Sequence, residues 1–403
     1  MRRRTVLSAL PAAAAVPVLA GCSAGGSGSA PPDAGGSDGG AYEGASGAQE
    51  STATPVPPAT ERHAALLDAL SPAQLAGQLV WIGVLAGTRP DHASFEETGC
   101  GGLFLLGRWE SAEDVRSVLD DARSTAAATA GIAPLASVDQ EGGQVRVLRG
   151  DAAEKTASAA DLGAEGPEAV RAAYATIGAD LADLGFAMAL APVADVVDPE
   201  LGRDNAPVGK VERGFGTDPE EVGACVEAAV TGLAEHRVAA VVKHFPGLGR
   251  IRENTDFSAD GITDDSTHPE DPALATFTRG VDAGAVGVML ASATYPAIDP
   301  DSPAMFSRAV VTDLLRGRLG FAGLAMTDDI GAAAAVSDVP VGERATRFLE
   351  AGGDVVLTAD PSLGPELAAA IADWAAAAPA NAERVRESVA RLLDVKAGQD
   401  LLP

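Results

Sequence analysis

Residues 238–245 read VAAVVKHF, a continuous apolar run that ends in a lysine and a histidine. A run of this kind is typical of a strand buried on both faces of a parallel sheet. Further segments of the same character are QLVWIGVL (78–85), GGLFLLG (101–107), PLASVDQ (134–140), AMALAPVADV (187–196), AVGVMLAS (285–292), GLAMTDD (323–329) and DVVLTAD (354–360). Stretches with helical periodicity, such as residues 111–130 and 218–237, separate them. The pattern predicts a single (β/α)8 barrel. An open doubly wound sheet is the alternative, because a count of strands does not prove closure.

Polar side chains gather at one end of these apolar runs. Asp139, Asp195, the pair Lys243 and His244, and Asp328 each stand where a run ends. In a (β/α)8 barrel the carboxyl ends of the strands form the active-site face. Two separated carboxylates on one face suit glycoside hydrolysis, and charged groups beside them suit the binding of hydroxyl groups. Each residue alone has a plainer interpretation as a helix cap or an exposed polar step, so the prediction depends on the whole set.

The N-terminal segment has the features of an export signal followed by a tether. Three arginines precede an apolar, alanine-rich stretch that ends in LAGC (19–22), which resembles the lipidation motif of bacterial lipoproteins. We predict a lipoprotein signal peptide at residues 1–21, lipidation at Cys22, a flexible tether rich in glycine, serine and proline at 22–60, and the catalytic barrel at 61–403. A twin-arginine signal and an ordinary cleaved signal stay open. The expected location is outside the cytoplasm, with a lipid anchor in the cell membrane.

The composition excludes some partners and cofactors. Asp and Glu number 57 against 29 Lys and Arg, and the net charge of −28 would repel the phosphate backbone of a nucleic acid. Cys100 and Cys225 lie in apolar segments, so we expect buried free thiols, with a disulfide as the alternative. The five histidines show no metal-ligand spacing. We therefore expect no metal and no cofactor. The separated carboxylates favour a carbohydrate as the partner, and we expect a monomer.

Four segments resemble the signatures of glycoside hydrolase family 3. They are DQEGG (139–143), VERGFGTDP (211–219), KHFPGLG (243–249) and GFAGLAMTDDI (320–330). Their order and spacing are similar to those of the single-domain bacterial β-N-acetylhexosaminidases of this family, over about residues 65–395. The resemblance implies a retaining glycoside hydrolase that removes terminal β-linked sugars. The first expectation is β-N-acetylglucosaminides from cell-wall glycan or related oligosaccharides.

The resemblance also implies roles for individual residues. Asp328 matches the nucleophile of the family, which attacks the anomeric carbon and forms a glycosyl-enzyme intermediate. The positions that bind the non-reducing sugar in the −1 pocket match Asp139, Arg213, Lys243 and His244. Asp329 is expected to support the end of the strand or to cap the next helix.

The loop after KHFPG departs from the family pattern. The family places its acid/base histidine there in an Asp-Ser-His triplet, which falls without a gap on Asn254, Thr255 and Asp256. With a two-residue insertion, Asp256 matches the aspartate and Ser258 stands in place of the histidine. In both alignments the histidine is missing. We predict that Asp256, or Glu253 close by, transfers the proton, since apolar or anionic surroundings raise the pKa of a carboxyl group.

Other positions also differ from the family pattern. Val147 stands in place of an arginine, Leu248 in place of a second loop histidine, and Ser292 in place of a histidine on the sixth strand. Three hypotheses follow: an active β-N-acetylglucosaminidase with a carboxyl acid/base, a β-glycosidase of different sugar specificity, and a catalytically impaired sugar-binding lipoprotein. For the active forms we expect hydrolysis and not phosphorolysis, because an anionic Asp256 would repel phosphate.

Overall fold

The computed structural model describes residues 58–89, 98–331 and 333–403, with the side chains of 126–130 left out. The predicted signal peptide, the predicted lipidation site Cys22 and nearly all of the predicted tether lie outside the described residues. Among the described residues, no helix combines the length and the apolar character needed to cross a membrane.

Eight parallel strands close into a barrel. They are β1 (Val80–Leu85), β2 (Gly102–Leu106), β3 (Leu135–Val138), β4 (Met188–Ala189), β5 (Ala239–Phe245), β6 (Gly287–Leu290), β7 (Leu324–Asp329) and β8 (Val355–Thr358). Each strand pairs with its neighbours in the chain, and β8 pairs with β1. The predicted (β/α)8 barrel is confirmed, and the open sheet is wrong.

The apolar runs serve two cores at once. Successive side chains of a strand point to opposite faces, so Trp81 lies inside the barrel while Ile82 packs outward. Phe104, Met188 and Val241 also fill the interior of the barrel. Because both faces of each strand are buried, apolar residues are required at consecutive positions and not at alternate ones.

Helices cover the outside of the barrel. They are α1 (Ala59–Arg62), α2 (Ala64–Ala69), α3 (Pro72–Gln78), α4 (Ala112–Ala130), α5 (Ala159–Glu165), α6 (Pro167–Leu184), α7 (Pro219–Ala234), α8 (Ala275–Asp282), α9 (Val341–Ala351), α10 (Gly364–Ala377) and α11 (Pro379–Gly398), with a π-helix at Ala309–Arg318 between β6 and β7. The helices predicted at residues 111–130 and 218–237 are α4 and α7. Asp218 caps α7, because its side chain accepts hydrogen bonds from the backbone amides of Glu220 and Glu221.

Strand β4 is much shorter than the predicted run of residues 187–196. Its regular pairing covers only Met188–Ala189, because Pro192 has no N–H with which to continue the ladder. The carbonyl of Pro192 still accepts a hydrogen bond from the amide of Lys243 at 3.2 Å. The segment therefore stays beside β5 without being a strand, and it delivers Asp195 to the rim.

The predicted boundary between tether and barrel, at residues 60 and 61, falls inside α1. This helix begins at Ala59, which packs against the hydrophobic core. Arg62 in the same helix forms an ion pair with Asp394 of α11. The first and last helices thus meet, so α1 packs with the barrel unit from Ala59 onward. Cys100 and Cys225 are buried free thiols, as predicted.

Candidate active site

A cavity of about 450 Å³ opens at the carboxyl ends of the strands. All six of the predicted catalytic and sugar-binding side chains line it, namely Asp139, Arg213, Lys243, His244, Asp256 and Asp328. They come from β3, β5, β7 and the loops that follow β4 and β5. Residues spread over 190 positions of sequence thus converge because parallel strands of a barrel all end at the same rim.

A buried carboxylate, Glu141, lies behind the lining of the cavity and joins the charged side chains of its floor. It is 2% exposed, and Arg213 donates two hydrogen bonds to it, at 2.8 Å from Nε and 2.7 Å from Nη2. Lys243 Nζ lies 2.7 Å from the same carboxylate and also forms an ion pair with Asp139. Burial opposes the ionisation of Glu141, but the charges of Arg213 and then Lys243 outweigh it and lower the pKa to about 2. The four groups form one hydrogen-bonded ion network.

From the sequence, Glu141 is only one residue of the DQEGG motif, and no role was predicted for it. Its position between two cations shows that it holds Arg213 and Lys243 in place. The available signal was a charged residue just after a buried apolar run, since a buried charge needs partners of opposite sign.

His244 is fixed by a second buried carboxylate, Asp195. The Nδ1 atom of His244 lies 2.8 Å from Asp195 Oδ2, and Asp195 Oδ1 accepts hydrogen bonds from the amides of His244 and Leu248. Nε2 of His244 lies 3.4 Å from Nη2 of Arg213. A guanidinium can only donate, so we assign the proton of a neutral His244 to Nδ1. Asp195 therefore sets both the ring orientation and the start of the next loop, a role that the sequence did not assign.

The two aspartates at the end of β7 have different surroundings. Asp329 Oδ1 accepts hydrogen bonds from the amides of Gly331 at 2.8 Å and Ala359 at 2.9 Å. Asp328 Oδ1 accepts a hydrogen bond from the amide of Asp329. Both carboxylates line the cavity, and Asp329 also ties the end of β7 to the end of β8.

Glycine is required where the strand end of β5 turns into the next loop. A Cβ atom on Gly249 would lie 1.7 Å from the carbonyl oxygen of Val196, so no larger residue fits there. The carbonyl of Gly249 accepts a hydrogen bond from the amide of Asp198. The motif KHFPGLG is therefore locked against the segment that carries Asp195, and the chain beyond Gly249 makes a separate loop.

That loop brings Asp256 to the edge of the cavity. The amide of Asp256 donates to Asn254 Oδ1 at 2.8 Å, which closes a tight turn. The carbonyl of Thr255 accepts from the amide of Ala335 at 3.2 Å, and the carbonyl of Asp256 accepts from Ala334 at 3.4 Å. These alanines follow β7, the strand of Asp328. Glu253, the other carboxyl group considered, does not line the cavity.

The electrostatic surroundings of Asp256 favour its protonated form. The residue is exposed at the rim, yet the carboxyl group is crowded by protein. This desolvation is the largest cause of its pKa rise, the charge of Asp328 is the next, and together they outweigh His244 and Arg213 and raise the pKa of Asp256 to about 6. A carboxyl group of this kind can both give and take a proton near neutral pH.

The walls of the cavity are more apolar than the family pattern predicts. Val147 lines the cavity where the family has an arginine, and Leu248 lines it where the family has a histidine. Ser292 is buried away from the cavity, and its hydroxyl has no hydrogen-bond partner among the described residues. Trp109 is buried, and its Nε1 donates to the carbonyl of Leu106 at 3.0 Å. It is therefore a packing residue and not a platform for sugar.

The fold and the cavity together define a class of protein. A (β/α)8 barrel with paired carboxylates and hydroxyl-binding cations at its carboxyl-terminal rim is the arrangement of a barrel glycosidase. The family model described as "Glycosyl hydrolase family 3 N terminal domain" matches residues 74–395 of this chain. The chain belongs to glycoside hydrolase family 3 and is an O-glycosyl hydrolase.

Individual relatives agree with this assignment. The β-hexosaminidase of Xanthomonas oryzae pv. oryzae is 36% identical over 241 residues, which is 58% of this chain and 69% of that protein. A β-N-acetylhexosaminidase structure from Beutenbergia cavernae is 41% identical, covers 81% of this chain and 99% of that one, and has a TM-score of 0.77. LpqI of M. tuberculosis is 28% identical, with 85% and 96% covered and a TM-score of 0.71.

Proposed function

We propose that the protein is a retaining hydrolase of β-N-acetylglucosaminides in which Asp328 is the nucleophile and Asp256 is the general acid and base. One observation carries the proposal. Asp256 and Asp328 face one cavity whose lining also includes Arg213 and Lys243, and the surroundings of Asp256 raise its pKa to about 6. The β-hexosaminidase names of the relatives support the choice of substrate.

The first chemical step breaks the glycosidic bond. Asp328 attacks the anomeric carbon as a carboxylate while protonated Asp256 gives its proton to the leaving oxygen, so the alcohol departs neutral and a glycosyl ester of Asp328 is formed. In the second step Asp256, now a carboxylate, takes a proton from water. The resulting hydroxide equivalent attacks the anomeric carbon and frees Asp328. Two inversions retain the β-configuration.

The floor of the cavity binds the sugar. Asp139 and Lys243 present an acceptor and donors at its base, and Arg213 and His244 present further donors and an acceptor. Charge-assisted hydrogen bonds to hydroxyl groups are stronger than neutral ones and are directional. Because Glu141 and Asp195 already hold these side chains in place, little reorganisation is needed when the sugar binds.

Water, and not phosphate, is the acceptor in this proposal. Asp256 and Asp328 are both carboxyl groups at the mouth of the site, and in the second step Asp256 is ionised. A phosphate anion that approaches this position meets a negative charge in a partly desolvated setting. Water meets no such barrier.

The function can be tested with aryl β-glycosides. Release of nitrophenol from the N-acetylglucosaminide, the glucoside and the xyloside should be measured for the wild type, Asp328→Ala and Asp256→Ala. Asp260→Ala is the matched control, because Asp260 lies in the same loop and does not line the cavity. We expect the N-acetylglucosaminide to be the best substrate. A preference for another sugar would support the second hypothesis, and no turnover of any substrate would favour a sugar-binding lipoprotein.

We also propose that the protein is a lipoprotein on the outer side of the cell membrane. It would be anchored through Cys22, and the tether would separate the barrel from the membrane surface. The proposal rests on the LAGC motif and the composition of the residues that follow it. Such a location would bring the barrel close to cell-wall glycan. A Cys22→Ala variant should leave the membrane fraction. If it stays there to the same extent as the wild type, the anchor is not at Cys22.

A further inference from the structure

Three arginines lie together beside the active-site cavity. Arg108 follows β2, and Arg146 and Arg149 belong to the segment after the DQEGG motif. The backbone places the two segments side by side, because the amide of Trp109 donates to the carbonyl of Val147 at 3.0 Å and the amide of Arg149 donates to the carbonyl of Trp109 at 2.8 Å. We call Arg108, Arg146 and Arg149 the arginine cluster.

Arg108 is exposed, Arg146 and Arg149 are half-buried, and the cluster has few partners for its donors. Within the described part of the chain, the Nε atoms of Arg146 and Arg149 are both buried and have no hydrogen-bond acceptor. Arg149 donates only from Nη2, to the carbonyl of Gln144 at 3.3 Å. Arg108 reaches Glu110 at 3.2 Å, in a pair that is exposed on both sides. An exposed pair of this kind compensates little charge.

This excess of positive charge is local. The whole chain has a net charge of −28, and Arg213 and Arg316, which are also partly buried, are matched by the carboxylates of Glu141 and Asp354. Desolvation, followed by the neighbouring charges of Arg146 and Arg108, lowers the pKa of Arg149. Unpaired buried donors and like charges both destabilise the folded state, so their presence calls for a ligand that compensates them.

The cluster stands next to the site of catalysis. Val145 and Val147, on either side of Arg146 in the chain, line the cavity, and so does Leu106, two residues before Arg108. A group joined to the sugar in the −1 pocket must leave the cavity past its edge. The backbone of the arginine cluster therefore runs along the edge of the cavity, although its three side chains do not line it.

We propose that Arg108, Arg146 and Arg149 form a binding site for an oxyanion, a carboxylate or a phosphate group, at the edge of the cavity. Guanidinium groups bind such anions through paired, nearly planar hydrogen bonds. The anion is either part of the group attached to the sugar or a free ion in solution. The first case rests on the proposed function, and the second does not.

A pair of substrates tests the first case. Two nitrophenyl N-acetyl-β-glucosaminides should be compared, one with a carboxylate on the ring beside the nitro group and one with the uncharged carboxamide at the same position. For the wild type we expect the carboxylate to have the higher kcat/KM, by about tenfold. This ratio should fall toward one in Arg146→Gln, in Arg149→Gln and in the double variant. Arg116→Gln is the matched control, since Arg116 pairs with Asp183 on the outer helices, and its ratio should equal that of the wild type.

A binding measurement tests the second case without catalysis. Inorganic phosphate should be titrated into the full-length wild type and the Arg146→Gln, Arg149→Gln double variant by calorimetry, with the melting temperature recorded in parallel. Phosphate binding that is present in the wild type, preserved in Arg116→Gln and lost in the double variant supports a site for free anions. The melting temperatures show whether the double variant is folded.

The outcomes separate this proposal from the proposed function. A carboxylate preference that depends on the cluster places the anion on the leaving group. Phosphate binding without that preference places a free anion there. An enzyme that is inactive on both substrates contradicts the proposed function, and the calorimetry then decides on the anion site alone. If neither the preference nor phosphate binding depends on Arg146 and Arg149, the arginine cluster is not an anion site.

Discussion

The floor of the cavity and the loop of Asp256 are built by opposite means. The floor residues lie at strand ends and are cross-linked by buried ion pairs, with Glu141 bound to both Arg213 and Lys243. The loop is exposed at the rim and is held by a few backbone hydrogen bonds, of which those to Ala334 and Ala335 are 3.4 and 3.2 Å long. One region is fixed by burial and charge balance, and the other by a light set of contacts.

This difference explains which residues could change. Replacing one member of the floor leaves a buried charge without its partner, which costs about 3–5 kcal/mol. Replacing a residue in an exposed loop usually costs less than about 0.5 kcal/mol. The floor therefore keeps the family motif, while the loop around Asp256 departs from it at little cost in stability.

The largest effect is expected from removal of the nucleophile. Asp328→Ala should lower kcat on aryl N-acetylglucosaminides by about 10⁴-fold or more, because no glycosyl ester can form. Asp329→Ala is not a suitable control, since that carboxylate ties β7 to β8. Asp260→Ala serves instead. Steady-state rates with circular dichroism as a folding check test this. A loss below tenfold in folded Asp328→Ala would mean that another group attacks the anomeric carbon.

Asp256→Ala should have an effect that depends on the leaving group. With a poor leaving group such as an alkyl glycoside, the expected loss in kcat/KM is about 10²–10⁴-fold, because the oxygen must depart as an anion. With a dinitrophenyl glycoside the loss in kcat/KM should be small. Added azide should restore turnover and give a glycosyl azide, since an anion can enter once the carboxylate is gone. Equal losses for all leaving groups would exclude Asp256 as the acid.

Glu141→Gln tests the floor. It removes the negative charge between Arg213 and Lys243, so we expect a loss of about 3–5 kcal/mol in the free energy of unfolding. The folded-state pKa of Glu141 is about 2, below its ordinary value of 4.5. Its stabilisation is therefore fully present above pH 4.5 and is lost as the pH falls toward 2. Denaturant titrations at several pH values measure this. The difference between the two proteins should shrink at low pH, and a constant difference would exclude an ionic cause.

The sequence predicted the floor better than the loop, for a physical reason. The apolar runs and the strand-end charges follow from burial on both faces of the strands, and this pattern located Asp139, Lys243, His244 and Asp328. Glu141 and Asp195 carry equally important contacts, but a carboxylate that holds another side chain looks like any other acidic residue until its partners are known. Their roles needed three-dimensional distances.

The loop was harder to predict because its alignment was ambiguous. Two registers gave different counterparts for Asp256, and Glu253 was an equal candidate from the sequence. Only the hydrogen bonds to Asn254, Ala334 and Ala335 show which carboxyl group reaches the cavity. The arginine cluster had no signal beyond the absence of an arginine at Val147, since its character depends on which donors lack partners. Contacts of this kind produce no periodic pattern in the sequence from which they could be predicted.

The dependence of kcat/KM on pH tests whether Asp256 acts in its protonated form. The pKa of Asp256 is raised to about 6 from an ordinary value of 3.8. The bond-breaking step needs the protonated form, so kcat/KM on a poor leaving group should be full below pH 6 and fall about tenfold per unit at higher pH. In Asp256→Ala, kcat/KM should not show this decrease above pH 6. An unchanged kcat/KM up to pH 8 in the wild type would contradict the acid role of Asp256.

The smallest effect is expected from Asn254, which positions Asp256 and does not touch the substrate. Its side chain accepts the hydrogen bond from the amide of Asp256 at 2.8 Å, and one such bond contributes about 0.5–1.5 kcal/mol. Asn254→Ala should therefore lower kcat/KM by about 2- to 12-fold. Asn381→Ala is the control, because Asn381 bonds a helix carbonyl far from the cavity. A positioning role predicts that the loss is confined to poor leaving groups, since only those need the proton. An equal loss on dinitrophenyl glycosides would mean that Asn254 supports the fold of the loop in general and does not orient the carboxyl group of Asp256.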